Sequence, residues 1–162
     1  HLPMTTCYIA LGSNLGDRLA NLRAAFAAID ERGIAVTARS SIWESESVPP
    51  GQPPYLNAVV AIETMLSPED LLSELKAVEW QFGRRPSPRW SPRPLDLDIL
   101  FHGDTRVESP ALTVPHPRLG ERPFVLAPLS DVIRGPLPVL GVTAHEVLAR
   151  AGFHGVSRYA SF

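Results

Sequence analysis

Cysteine is nearly absent. Cys7 is alone in 162 residues, so no internal disulfide can form and no thiolate cluster has zinc spacing. It is expected to be a small buried strand residue. No apolar run approaches the roughly 20 residues of a membrane span, and no basic segment followed by an apolar stretch opens the chain. A cytoplasmic protein with no membrane partner is the expectation. Net charge is small as well: a formal −2 gives no general attraction to nucleic acid or an anionic surface, so any phosphate-binding character must be local. His1, Leu2 and Pro3 precede Met4, the expected natural start, and are set aside as an expression remnant. Residues 4–162 are expected to form one domain, long enough to bury a core without staples.

What the chain does have is proline, 17 residues in all. Pro49, Pro50, Pro53 and Pro54 punctuate one connection, and Pro86, Pro88, Pro92 and Pro94 another, because proline lacks an amide donor and interrupts helices and central strands. Compact domains rarely keep long irregular loops that have no function. Between these loops the apolar pattern predicts a strand over 6–11, a turn at Gly12-Ser13-Asn14, and a helix whose buried stripe is Leu15, Leu19, Leu22, Phe26 and Ile29, stopped by Gly33. Strands are predicted over 34–43 and 55–65. Ser67-Pro68-Glu69-Asp70 then opens a second helix with Leu71, Leu75, Val78 and Phe82 on its buried face. A fourth strand covers 95–101. The order strand, helix, strand, strand, helix, strand predicts an α+β fold with a ferredoxin-like βαββαβ core. The rest is a C-terminal elaboration with a helix over 143–151. Phe124, Val125, Leu126, Leu129, Val132 and Ile133 are expected to pack on the same sheet.

The sharpest chemical signal is Leu95-Asp96-Leu97-Asp98-Ile99. Alternation sends Leu95, Leu97 and Ile99 into the core and places the two carboxylates side by side on the other face. Such a pair repels itself unless a cation intervenes, and a hard ion such as Mg²⁺ takes carboxylate and phosphate oxygens together. A bare Asp-x-Asp also fits an amphipathic edge strand with a solvated acidic face. Just upstream, residues 83–93 carry Arg84, Arg85, Arg89 and Arg93 with Trp90, and guanidinium forks suit polyphosphate oxygens. Metal and arginines together describe an electrostatic clamp for phosphoryl transfer. The same loop taken alone fits a solvated basic segment. Gly12-Ser13-Asn14-Leu15-Gly16 lacks the Gly-Lys-Ser/Thr ending of a Walker loop and reads as a tight turn allowing close backbone approach to a ligand.

These motifs, with Gln52-Pro53-Pro54-Tyr55-Leu56-Asn57 and Val114-Pro115-His116-Pro117, occur in the order found in hydroxymethyldihydropterin pyrophosphokinases, which the chain resembles from Thr6 to about Leu129. The resemblance implies ATP and 6-hydroxymethyl-7,8-dihydropterin as substrates, AMP as a product, and a role in folate biosynthesis. It implies two Mg²⁺ ions on Asp96 and Asp98, with Arg84 and Arg93 also at the reacting phosphates. Glu79, Arg84, Arg89, Trp90, Ile99, His116 and Arg122 would bind ATP, with Arg89 and Trp90 on a mobile loop closing over the reactants. Gly12, Ser45, Val48, Tyr55, Asn57, Trp90 and Phe124 would bind the pterin. A monomer with no nucleic-acid partner is expected. Taken alone, Phe124 fits core packing, His116 a structural or solvent-facing position, and Glu79 a solvated helix position.

The chain departs from the family pattern where Trp43-Glu44-Ser45-Glu46-Ser47-Val48 replaces Tyr-Glu-Thr-x-Pro, which loses a proline that would preorder the loop. Ser91 and Pro86 also replace a common glycine and a common arginine. Two other readings use the same residues. A nucleotidyl transferase also combines such a sheet with paired aspartates and would release pyrophosphate. An RNA-binding module could use Arg89 and Trp90 on bases, against which stand the charge of −2 and the lack of an aromatic base-stacking strand.

Overall fold

The computed structural model describes residues 3–47, 49–88 and 91–161. Its centre is a six-stranded antiparallel sheet in the order β5-β1-β4-β3-β8, with β2 also on β4. The strands are β1 (Thr5–Ser13), β2 (Ala35–Arg39), β3 (Ile42–Ser45), β4 (Tyr55–Thr64), β5 (Asp96–His102) and β8 (Val156–Ala160). A separate small ribbon pairs β6 (Val107–Glu108) with β7 (Thr113–Val114).

Helices α1 (Arg18–Glu31) and α2 (Pro68–Gln81) cover one face. Leu22, Phe26, Ile29, Leu71, Leu75 and Val78 from these helices meet Ile9, Leu11, Leu97 and Ile99 of the sheet in one core. Ser67 caps α2 through the amide of Asp70, and Glu69 and Asp70 lie in its first turn, as the sequence predicts. Helices α3 (Pro123–Val132) and α4 (Ala144–Ala151) cover the other face, where Val125, Leu126, Leu129 and Leu148 meet Ala10, Val59, Leu100 and Phe101. Cys7 is a fully buried strand residue, and burial pushes its thiol up to about 12.

Two expectations need correction. Leu15 does not join the buried stripe: α1 is capped by Asp17, and Leu15 precedes it, 47% exposed. The strand predicted over 34–43 is two strands, broken where Ser40 Oγ donates to Ser41 O at 2.6 Å and accepts from Val59 N at 2.9 Å. Ser40 N still donates to Val59 O at 2.9 Å, so both strands stay on β4 across the break. The apolar tail packs on the sheet as expected, with most of its apolar residues on helix α3, which contains Pro128. No helix among the described residues is long and apolar enough to cross a membrane.

Candidate active site

The floor of the site is set by strand register. Gly12 on β1 stands opposite Asn57 on β4 and Asp96 on β5, and one pleat further along Ala10 stands opposite Val59 and Asp98. Directly opposed residues share a face, so two small side chains in the central lane leave a trough between an amide and two carboxylates. A Cβ on Gly12 would lie 3.3 Å from Tyr55 Cδ1, which accounts for glycine there.

Leu95, Leu97 and Ile99 enter the core under α1 and α2, as alternation predicts. On the acidic side, Leu100 leads into the second apolar core, so Asp96 and Asp98, though on the edge strand β5, border a covered apolar layer. Asp96 Oδ1 accepts from Arg84 at 2.6 Å and from Arg93 at 3.4 Å. The Asp98 carboxylate has no hydrogen bond or ion pair among the described residues. Burial, and after it the charge of Asp96, pushes its carboxyl up to about 7, while Arg122 and Arg84 oppose the rise.

Glu79 is not solvated; it is 8% exposed. Its Oε2 accepts from Leu97 N at 2.8 Å and pairs with Arg84. Burial raises its carboxyl, opposed by the Leu97 amide and the Arg84 charge. His116 is held beside β5 by its N–H to Leu100 O at 3.0 Å. Its Nδ1 accepts from Arg118 N at 3.2 Å, which leaves the proton of the neutral ring on Nε2. Burial, then Arg122 and Arg118, lowers it to about 4, so it is neutral at pH 7.

Two cavities meet over the acids. The first, of about 470 Å³, is lined among others by Gly12, Ser45, Tyr55, Asn57, Phe124 and Val125. Phe124 is thus a wall residue, only partly buried, with the Arg122 guanidinium 5.8 Å from its ring centre. Asn57 Nδ2 donates to Ser45 Oγ at 2.8 Å and to Trp43 O at 3.3 Å. A carbonyl only accepts, so the amide nitrogen is fixed there, and Oδ1 lies 3.9 Å from the place a Gly12 Cβ would take. The second cavity, of about 410 Å³, is lined by Leu72, Lys76, Glu79, Arg84, Ile99 and His116, together with the 109–113 segment and Pro117. Arg93, Asp96, Asp98 and Arg122 line both.

Arg85 lies elsewhere, stacked 3.6 Å from the centre of the Trp80 ring and donating to Trp80 O and Arg84 O. Val48, Arg89 and Trp90 fall outside the described residues. Sequence reasoning missed Asn14, Ser47, Gln52, Arg118 and Glu121 in the first cavity. Ser47 Oγ bonds Pro49 O at 2.9 Å and Gln52 N and O at 3.1 Å, ordering from within a loop that lacks the family's proline. No local pattern signals such a contact.

Fold and site together define a mixed α/β protein with two cavities converging on one acidic pair. The family model of HPPK, 7,8-dihydro-6-hydroxymethylpterin-pyrophosphokinase, matches residues 8–134, and the chain belongs to this family. It is 46% identical over 127 residues to the 2-amino-4-hydroxy-6-hydroxymethyldihydropteridine pyrophosphokinase of Bacillus subtilis, spanning 77% of this chain and 76% of that protein. The protein of the same name from Haemophilus influenzae is 44% identical over 131 residues, 80% and 82% of the two chains. The mitochondrial folate synthesis bifunctional protein of Pisum sativum is 48% identical over 126 residues, 77% of this chain but 24% of that one. The chain thus spans about a quarter of such bifunctional relatives. A solved HPPK-DHPS structure in complex with substrates superposes with a TM-score of 0.77 at 11% identity, over 96% of this chain and 46% of that one. A Plasmodium falciparum HPPK-DHPS triple mutant gives 0.73 at 15%, over 93% and 44%. At these identities the likeness concerns the fold.

Proposed function

We propose that this chain transfers the β,γ-diphosphate of MgATP to 6-hydroxymethyl-7,8-dihydropterin, yielding AMP and the pterin diphosphate for folate biosynthesis. The observation that carries the reading is the pair of cavities sharing Arg93, Asp96, Asp98 and Arg122. A donor in one and an acceptor in the other meet only where charge can be neutralised.

The first cavity suits a flat heterocycle. Asn57 Oδ1 meets ring N–H donors in the plane, and Tyr55 and Phe124 supply apolar faces. Ser45 positions the amide. In the second cavity Leu72, Leu75 and Ile99 give an apolar surface for adenine, and His116 offers Nε2–H. The acidic pair fits a hard cation: a carboxyl held up by burial and then by its neighbour's charge gains most from one, and no third His, Cys, Asp or Glu among the described residues completes a protein-only site. Asp96 and Asp98 would hold two Mg²⁺ ions with phosphate oxygens as further ligands. When bound, the metal neutralises and orients the phosphates. Arg84 and Arg93, which rest on Asp96 here, turn to the phosphates, and Arg122 reaches them from the N-cap position of α3. A loose phosphoryl-transfer transition state needs this positioning more than a strong base. Arg89, Trp90 and Val48 are assigned to the same ligands on family resemblance alone.

The strand order β5-β1-β4 with β2 and β3 beyond supports a ferredoxin-like core elaborated by α3, α4 and β8. We read residues 4–162 as one domain. We further read it as a monomer acting in the cytoplasm. Incubation with MgATP and the pterin alcohol should release AMP. ADP, pyrophosphate release without AMP, or no pterin-dependent turnover rejects the reading.

A further inference from the structure

The side chain of Asn14 joins the two halves of the site. It lies on the turn after β1, 2% exposed, and every hydrogen bond found for it reaches another loop. Its backbone N–H donates to Arg93 O at 3.1 Å, and its Oδ1 accepts from Arg93 N at 2.8 Å. Its Nδ2 donates to Pro53 O at 3.2 Å. Arg93 lines both cavities and reaches Asp96, whereas Pro53 follows Gln52, a wall of the first cavity, and leads into Tyr55 and Asn57. The neighbouring contacts tighten both ends. Asn21 Nδ2 donates to Pro94 O at 3.2 Å, and Ser47 Oγ accepts from Gln52 N at 3.1 Å.

We propose that Asn14 is a positioning residue that couples the two ligands. Seating phosphate on Arg93 fixes the backbone that Asn14 Oδ1 grips, and the same amide plane then fixes Pro53 and the loop beside the heterocycle. Coupling of this kind is reciprocal: whichever ligand binds first presets the other cavity. Only a side-chain amide offers an acceptor and a donor at this span; aspartate keeps the acceptor and loses the donor, and alanine loses both. The inference deepens the function proposed above and rests on it.

The test is calorimetry with a non-hydrolysable ATP analogue plus Mg²⁺ and with 6-hydroxymethylpterin, each alone and each with the other saturating. In the wild type each ligand should tighten the other by the same factor, about fivefold or more. In Asn14→Asp the ATP analogue alone should bind within about threefold of wild type, while mutual tightening falls below about twofold. Absence of tightening in the wild type, or its survival in the variant, overturns the proposal. Should the buried acid prevent folding, Asn14→Ala replaces it in the same titrations. Hydrogen exchange adds a readout in the wild type: pterin alone should slow exchange of the Arg93 amide, and an unchanged rate is equally fatal. If the wild type forms no AMP, the functional reading fails and takes this proposal with it; AMP formation with tightening retained in the variants sinks this proposal alone.

Discussion

Asp96 and Asn57 stand on the same face of the sheet, each directly opposite Gly12. Two strand spacings, about 10 Å, separate the carboxylate proposed to face phosphate from the amide proposed to face the heterocycle. Gly12 keeps that interval open. Gly12→Val should fill the trough and press on Tyr55 Cδ1, weakening pterin binding more than about tenfold, or about 1.4 kcal/mol, with ATP-analogue binding nearly unchanged. Calorimetry with each ligand decides it, and equal losses would count against the trough.

Glu79 is tied to the acids by backbone and by charge: Leu97, whose amide donates to it, lies between Asp96 and Asp98, and Arg84 pairs with both Glu79 and Asp96. Glu79→Ala strands that buried N–H and should cost about 1–3 kcal/mol of stability. Glu79→Gln keeps an acceptor and should cost less than about 1 kcal/mol. Denaturant titration compares them. Matching losses would show that the charge opposite Arg84, and not the Leu97 bond, is what matters.

How legible this was depended on how local the cause is. Strand β4 and helix α2 announce themselves through an apolar run and through Ser67-Pro68, and the facing of Asp96 and Asp98 follows from alternation alone. Helix α3 was hidden by Pro128, which argues against a helix on local grounds; the apolar layer of Leu126 and Leu129 against the sheet outweighs it. Strand β8 exists by pairing with β3, more than a hundred residues away in sequence. Within the site, Asn57 and the acids could be found from motif order, but an acid on an amphipathic helix reads as solvated. The burial of Glu79 comes from a strand amide that only the tertiary fold delivers.

The ligand-free protein should show an Asp98-specific pH dependence. Its carboxyl titrates at about 7 in the fold against 3.8 in a free chain, so between those values the folded state binds more protons and stability falls as pH rises. His116 works the other way: lowered from 6.5 to about 4, it favours the unfolded chain as pH falls through that range. The two partly cancel. The informative quantity is therefore the difference in melting temperature between Asp98→Asn and wild type, which should grow in favour of the variant from about pH 4 to pH 7 and then level off. A flat difference would mean that Asp98 is not held up by burial.

In the proposed reaction the acidic pair holds the metal, and its two members should respond differently to removal. Sequence alone suggests that deleting either carboxylate relieves repulsion and leaves the ligand-free protein as stable or more so. The same is expected for Asp98, whose carboxylate has no pairing partner among the described residues, but the opposite for Asp96, which pairs with Arg84 and Arg93. Asp96→Ala strands two arginines at a partly exposed site, so its melting temperature should drop modestly, as for the loss of an ion pair worth about 1 kcal/mol or less. Turnover should nonetheless collapse in both. Each carboxylate faces the junction where Mg²⁺ and the triphosphate would meet, and a missing metal ligand there should cost several kcal/mol of barrier, roughly a hundredfold or more in rate. The Mg²⁺ concentration at half-maximal rate should rise in step. Melting and turnover measured on the same preparations over a Mg²⁺ titration separate the effects. Near-normal turnover at ordinary Mg²⁺ in either variant removes that residue from the metal site, while a collapsed melting temperature in Asp98→Ala would make its role structural.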